Sequence, residues 1–249
     1  MDSNVVWLDS QLLLNQVVPV YQPIIELETS RVVAFEALAR WVHGGGAVSP
    51  EVFIPAARKA GLLDDLTLVI CQYVSRNIDL LGAISINLEL VQLGNPVLIE
   101  DICQVFGEQG LKRLHIEITE VGAVDVDFAL ARAGMERFKS LGVGFSLDDF
   151  GNGLSNFQRL CELPVDTLKI PRNLIVGMTT QMQSQACVDA TLNLAQVLGL
   201  KTIAEGVECV FQRNALKKMG CTMVQGNWYS RPLDAQCAAD YKQKRLGLG

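Results

Sequence analysis

The chain has 249 residues, 49% of them hydrophobic and 19% charged, a balance that excludes a disordered segment and suits one globular core. Its 21 basic and 27 acidic residues leave a formal charge of −6, which offers no general attraction to duplex DNA or RNA. A small anionic ligand stays compatible with that charge wherever cations or arginines reverse it locally.

No basic region followed by an apolar core opens the chain, so no signal peptide is expected. Seven cysteines are scattered without a C-x-x-C pair, the usage of free thiols in a reducing cytoplasm. The most apolar stretch, residues 80–99, is interrupted by Asn87, Glu89, Gln92, Asn95 and Pro96. It falls short of the ~20 apolar residues that a membrane span needs.

In chain order, an apolar run at 20–27 is followed by Glu28-Thr29-Ser30 and a second run at 32–39. So short a polar turn cannot carry a parallel crossover, and the two runs predict an antiparallel pair. Ser49-Pro50 reads as a helix cap with proline at the first helical position, the helix continuing to Gly61. Further strands are predicted at 83–88, 114–119, 143–148, 166–170, 200–205 and 221–225. Four of these follow Gly110, Gly142, Gly199 or Gly220, each placed to end a helix in the left-handed conformation. Val188, Leu192, Ala195 and Leu198 recur at helical spacing before Gly199 and predict one buried face. Eight strands alternating mostly with helices predict an α/β fold, a TIM (β/α)8 barrel with an irregular, antiparallel start. An open doubly wound sheet is the alternative, without the glycine-rich phosphate fingerprint that would favour it. No linker divides the chain, so 1–249 is read as a single domain with its core at about 17–240.

The predicted strands finish in residues able to bind a metal, move a proton or donate a hydrogen bond: Glu36, Asn87, Glu117, Asp148 with Asp149, Lys169, Glu205 and Gln225. In a TIM barrel those ends form the rim of one active-site face. So many carboxylates in one bowl would repel and desolvate one another unless hard divalent cations joined them, and oxygen-only donors favour magnesium or manganese. Taken singly, each has a plainer alternative. Glu36 could pair with Arg40, Asp148-Asp149 could be a turn, and Lys169 a solvated lysine. It is the repetition of the pattern at the same end of every strand that points to a metal site.

At these positions the sequence resembles the EAL phosphodiesterase family, from Tyr21-Gln22-Pro23-Ile24 to Arg231-Pro232. The signature stands as Glu36-Ala37-Leu38, followed by Ser85-Ile86-Asn87-Leu88, Glu117-Ile118-Thr119-Glu120, Asp148-Asp149-Phe150-Gly151, Leu168-Lys169-Ile170, Ala204-Glu205-Gly206 and Gln225-Gly226. The resemblance implies a two-metal enzyme that hydrolyses cyclic di-GMP to linear pGpG. Glu36, Asn87, Glu117 and Asp148 would hold one Mg2+ or Mn2+, and Asp148, Asp149 and Glu205 the second. Lys169 would position the attacking water, with Glu205 handling its protons. Gln22, Arg40 and Gln225 would lie against the substrate. Glu120 would anchor the loop at 150–156, which in the family couples contacts within a homodimer to metal binding. A sensory or GGDEF region often precedes such a domain.

Three departures from the family pattern leave room for a catalytically impaired domain that acts as a cyclic di-GMP receptor or protein-interaction module. Pro171 stands where an aspartate is usual, Glu89 replaces a serine just past Asn87, and the loop reads Leu154-Ser155-Asn156. Apolar residues at 178–182 are expected to be exposed, a hint of a dimer surface. His43 and His115 receive no role.

Overall fold

Eight strands hydrogen-bond side by side until the last meets the first. The computed structural model describes residues 10–119, 127–152 and 156–246. Its strands are β1 (Val17–Glu26), β2 (Val32–His43), β3 (Gly46–Val48), β4 (Ile84–Glu89), β5 (Leu114–Thr119), β6 (Gly144–Leu147), β7 (Thr167–Ile170), β8 (Lys201–Ala204) and β9 (Met223–Val224). The ring runs β1-β2-β4-β5-β6-β7-β8-β9 and closes through β1–β9, with β3 outside it on the far end of β2. From β2 round to β9 the ring pairs are parallel, while β1 is antiparallel to both neighbours. This is the predicted TIM-like barrel with its antiparallel start.

The helices are α1 (Ser10–Gln16), α2 (Pro50–Lys59), α3 (Leu63–Leu81), α4 (Pro96–Leu111), α5 (Phe128–Ser140), α6 (Asn156–Glu162), α7 (Arg172–Gly177), α8 (Met182–Leu198), α9 (Val210–Lys218) and α10 (Ala235–Leu246). Strands such as β4 and β7 are buried along almost their whole length, as parallel strands between a filled interior and a helical coat must be. In α3, Leu66, Ile70, Val74, Ile78 and Leu81 recur every three or four residues and face the barrel. Truncating one such leucine to alanine would cost ~2–5 kcal/mol. No helix among the described residues is long and apolar enough to cross a membrane.

Local signals set most element ends. The Ser49 side chain accepts from the Glu51 backbone N–H, with Pro50 at the first position of α2. Gly142, Gly199 and Gly220 have φ of 92°, 68° and 84°, as helix-ending glycines do. Gly110 does not: it stays inside α4, and the left-handed glycine is Gly107 at φ 59°, which kinks that helix.

Other expectations also change. β2 does not end near Ala39 but continues to His43, because Gly44 and Gly45 adopt positive φ and return the chain as β3. Glu36 therefore sits in mid-strand rather than at a strand end. Leu198 is 50% exposed, since Gly199 turns the chain away after Ala195. Met178 is buried, while Met182 is 81% exposed, so of that pair only Met182 offers apolar surface.

Candidate functional site

The register of the ring decides which side chains meet. Glu36 lies opposite Gln22 on β1 and Ser85 on β4; Asn87 lies opposite Glu117, and Glu117 opposite Ser146. Residues two apart on a strand share a face, so Ser85 sits one layer below Asn87 inside the barrel.

Lys169 on β7 is 1% exposed, not the solvated lysine that it could have been read as. Its Nζ bonds Glu117, which is wholly buried, and lies 2.6 Å from Glu205 Oε1, 3.0 Å from Asp148 Oδ1 and 3.9 Å from Glu36 Oε2. The Asp148 contact is an ion pair without hydrogen-bond geometry. Ser85 Oγ donates to the other oxygen of Glu117. Glu36 accepts from Asn87 Nδ2 at 3.0 Å and from Gln225 Nε2 at 2.6 Å. Gln225 Nε2 also donates to Gln22 Oε1 at 3.0 Å, and Gln22 Nε2 to the Ser230 carbonyl at 3.1 Å.

Asp148 and Asp149 leave β6 in a turn that is at the same time part of the cluster. Asp149 takes φ 49°, its carbonyl accepts from Asn152 N, and Phe150 N donates to the Lys169 carbonyl at 2.9 Å. The two ways of reading that pair are compatible, because the turn is what aims both carboxylates inward. Asp148, Asp149 and Glu205 each bring a carboxylate oxygen within 4.8 Å of the others.

Electrostatics shows more negative charge than one lysine can balance. Burial alone would push Lys169 down, but Asp148, Glu117, Glu205 and Glu36 together hold it well above its ordinary value. Burial, then the Glu36 charge, raises Glu117 well above the carboxylate range, against the pull of Lys169. Glu36 goes the other way: burial raises it, but Lys169 and the Asn87 and Gln225 amides outweigh that and lower it. Glu205 is pushed up to about 8 by burial and Asp148, despite Lys169. Burial and Asp148 also raise Asp149. Hard oxygen donors carrying surplus negative charge fit a divalent cation.

Arg40 does not pair with Glu36 at contact distance; its Nη1 donates to the Ala39 carbonyl at 2.8 Å, and it lines a cavity beside the cluster. That cavity, of about 450 Å³, and a second of about 330 Å³ share Glu36, Leu38 and Asp148 as a common wall. Arg172, Glu208 and Asn227 line the second, where Arg172 Nη2 lies 2.7 Å from Glu208 Oε1. Glu89 adds no unbalanced charge: both its oxygens are held by Arg58 of α2. Pro171 precedes α7 and its carbonyl accepts from Leu174 N. Glu120 and residues 153–155 of the loop lie outside the described residues.

Ser85, Arg58, Arg172 and Asn227 were not anticipated from the sequence. For Ser85 the signal was available, two residues before Asn87 on the same strand face. The others reach the site from helices and loops, where no strand register points to them.

The EAL domain family model matches residues 6–232. The oxygen sensor protein DosP of Escherichia coli is 34% identical over 236 residues, covering 89% of this chain and 29% of that protein. The cyclic di-GMP phosphodiesterase RocR of Pseudomonas aeruginosa is 33% identical over 230 residues, covering 89% of this chain. The chain spans 58% of the length of RocR. The crystal structure of an EAL domain protein from Listeria monocytogenes superposes with a TM-score of 0.85 at 28% identity, covering 98% of this chain and 97% of that one. The PaMucR phosphodiesterase in complex with c-di-GMP superposes with a TM-score of 0.78 at 31% identity, covering 90% and 94%. With that family model matched over most of its length and its fold shared with solved EAL domains, the chain belongs to the EAL domain family.

Proposed function

We propose that this chain is a cytoplasmic two-metal phosphodiesterase that hydrolyses cyclic di-GMP to linear pGpG. The observation that carries the reading is the meeting of Glu36, Glu117, Asp148 and Glu205 around one buried lysine, with Asn87 and Asp149 beside them. The names of RocR and PaMucR supply the substrate and the reaction class.

Glu36, Asn87, Glu117 and Asp148 would hold one Mg2+ or Mn2+, and Asp148, Asp149 and Glu205 the other. Such ions, when bound, neutralise the cluster and acidify a water. Lys169, held among the carboxylates, orients that water and offsets charge gathering on the phosphate. Glu205, whose side chain reaches solvent, carries protons to and from the site. Arg40 meets a phosphate oxygen, and Gln22 and Gln225 hold the substrate face. In the same proposal the working form is a homodimer, a reading supported by the exposed Phe157 on α6 and Met182 on α8. A monomeric mass in sedimentation at working concentration would remove that part.

The test is Mg2+- or Mn2+-dependent conversion of cyclic di-GMP to pGpG, with Glu36→Ala as control. Product that falls by ~100-fold or more in the variant supports the enzyme. Tight binding of intact cyclic di-GMP without product would make the chain a receptor. Neither binding nor product would leave a protein-interaction module.

A further inference from the structure

Beside the acidic cluster, the larger cavity has two unlike parts. Its floor is aliphatic, with Leu38, Ile54, Leu66, Ile70 and Ile86 among the lining residues. Its polar wall is the Arg58–Glu89 ion pair, made where α2 crosses the carboxyl end of β4. A largely apolar slot of about 450 Å³ with a few placed polar groups, among them the Arg58–Glu89 pair, is the shape of a site for a flat, heteroatom-edged ring. It opens onto Glu36 and Asp148, so a ring held there would stay attached to a phosphate at the cluster.

The ion pair is built to keep Arg58 still. Arg58 Nε donates to both Glu89 oxygens at 2.9 and 3.0 Å, and Nη2 closes the fork. Glu89 is held in turn, its backbone N–H donating to Gln92 Oε1 at 3.0 Å. Gln92 Nε2 donates to Asp64 Oδ1 at 2.8 Å and Thr67 Oγ1 at 3.1 Å, and Asn95 holds the other Asp64 oxygen. Arg58 is 31% exposed at its side chain and Glu89 only 6%, so the carboxylate is spent inward while the guanidinium borders the open space. Arg58 Nη1 donates to nothing among the described residues.

We propose that Arg58, locked by Glu89, reads the acceptor edge of one base of a bound cyclic dinucleotide and sets a preference for guanine over adenine. The inference rests on the cyclic di-GMP reading above and adds to it the residue that selects the base. Guanine offers two acceptors, O6 and N7, along one edge, the pattern that an arginine fork matches. Adenine offers N7 beside an amino group, which would turn donors towards the donors of Arg58. Glu89, with its side chain only 6% exposed and both oxygens on Arg58, acts as a positioning residue.

The experiment compares the whole chain with its Arg58→Ala, Arg58→Lys and Glu89→Gln variants. Dissociation constants for cyclic di-GMP and cyclic di-AMP are measured by equilibrium dialysis with Ca2+ in place of Mg2+, the ligand recovered afterwards being checked as intact, and unfolding midpoints alongside. Losing one bidentate base contact should weaken cyclic di-GMP binding by about 10- to 100-fold in Arg58→Ala while changing cyclic di-AMP binding little, so the preference collapses. Arg58→Lys keeps the charge but not the fork and should lose most of the preference. Glu89→Gln should lose part of it. An equal loss for both dinucleotides with a lowered midpoint would show a structural pair and overturn the proposal, as would unchanged binding in Arg58→Ala. If the unaltered chain binds cyclic di-GMP without cleaving it when Mg2+ is supplied, the phosphodiesterase reading fails while the ratio in Arg58→Ala still decides this one. If it binds neither dinucleotide, both are overturned.

Discussion

Lys169 and Glu117 form an ion pair enclosed inside the barrel, 52 residues apart in sequence and on strands separated by β6. Alternate strands contribute side chains to one interior layer, which is why these two meet. Removing the Lys169 charge leaves Glu117 a buried carboxylate with only the Ser85 hydroxyl to hold it. Lys169→Met should lower the stability of the metal-free protein by ~3–5 kcal/mol at pH 8, and less at pH 5, where the carboxyls take up protons. Denaturant unfolding at the two pH values checks this, and hydrolysis by the same variant should fall by at least ~100-fold.

The Glu205 carboxyl, raised from 4.5 to about 8, makes stability depend on pH. A folded-state value above the unfolded one means that the folded protein holds the extra proton. That contribution is full below about 4.5 and is lost as pH rises through 8. The metal-free protein should therefore melt progressively lower from about pH 5 to 8 and level off above that. Saturating Mg2+ or Mn2+ should flatten the slope by replacing the proton, and Glu205→Gln should flatten it without metal. A slope untouched by that variant would count against this origin.

His115 works in the opposite sense at the other end of β5. Burial pushes its imidazole from 6.5 down to about 4, with Asp166 opposing and three lysines reinforcing, and its Nε2 has no hydrogen-bond partner. Here the unfolded state binds the proton more readily. Stability is full above 6.5 and is lost as pH falls towards 4, by up to about 3 kcal/mol. His115→Asn should remove that part of the acid limb in unfolding followed from pH 7 to 4.

Gly134 lies inside α5 where the helix crosses the turn at Gln92–Gly94. A Cβ there would stand 2.0 Å from the Leu93 carbonyl oxygen and 2.6 Å from Ile99 Cδ1. Alanine is the better helix former by ~1 kcal/mol, but a backbone carbonyl cannot step aside. Gly134→Ala should destabilise by ~1–3 kcal/mol, the opposite sign from propensity, as read by the unfolding midpoint.

Pro171 stands at the start of α7 without a side-chain cap. Aspartate there could accept from the first backbone N–H groups of the helix, a gain of ~1 kcal/mol, partly offset by the freer unfolded chain. The carboxylates and Lys169 already meet without it. Pro171→Asp should therefore leave the kcat for cyclic di-GMP within about threefold, measured in parallel with the unaltered chain.

Several features were legible because their causes are local. A serine caps a helix one turn away, a glycine ends one within two residues, and a three-residue turn forces antiparallel pairing. The run 114–119 was legible in full as β5. Gly110 and Leu198 were misjudged for a related reason: which glycine turns left-handed, and how far a buried face extends, depends on what packs against the helix. β2 outran its predicted end because the hairpin with β3 extends it beyond the ring.

By itself the sequence determined the alternation of strands and helices, the antiparallel entry and the carboxylates placed near strand ends. These follow from backbone conformations and side-chain spacing within a few residues. Only the tertiary structure decided that Lys169 is buried among four of those carboxylates, that Gln225 reaches Glu36 across 189 residues, and that Glu89 is neutralised by Arg58. Those meetings depend on ring closure and strand register, which bring distant residues to one end of the barrel and exclude the water that would otherwise screen them.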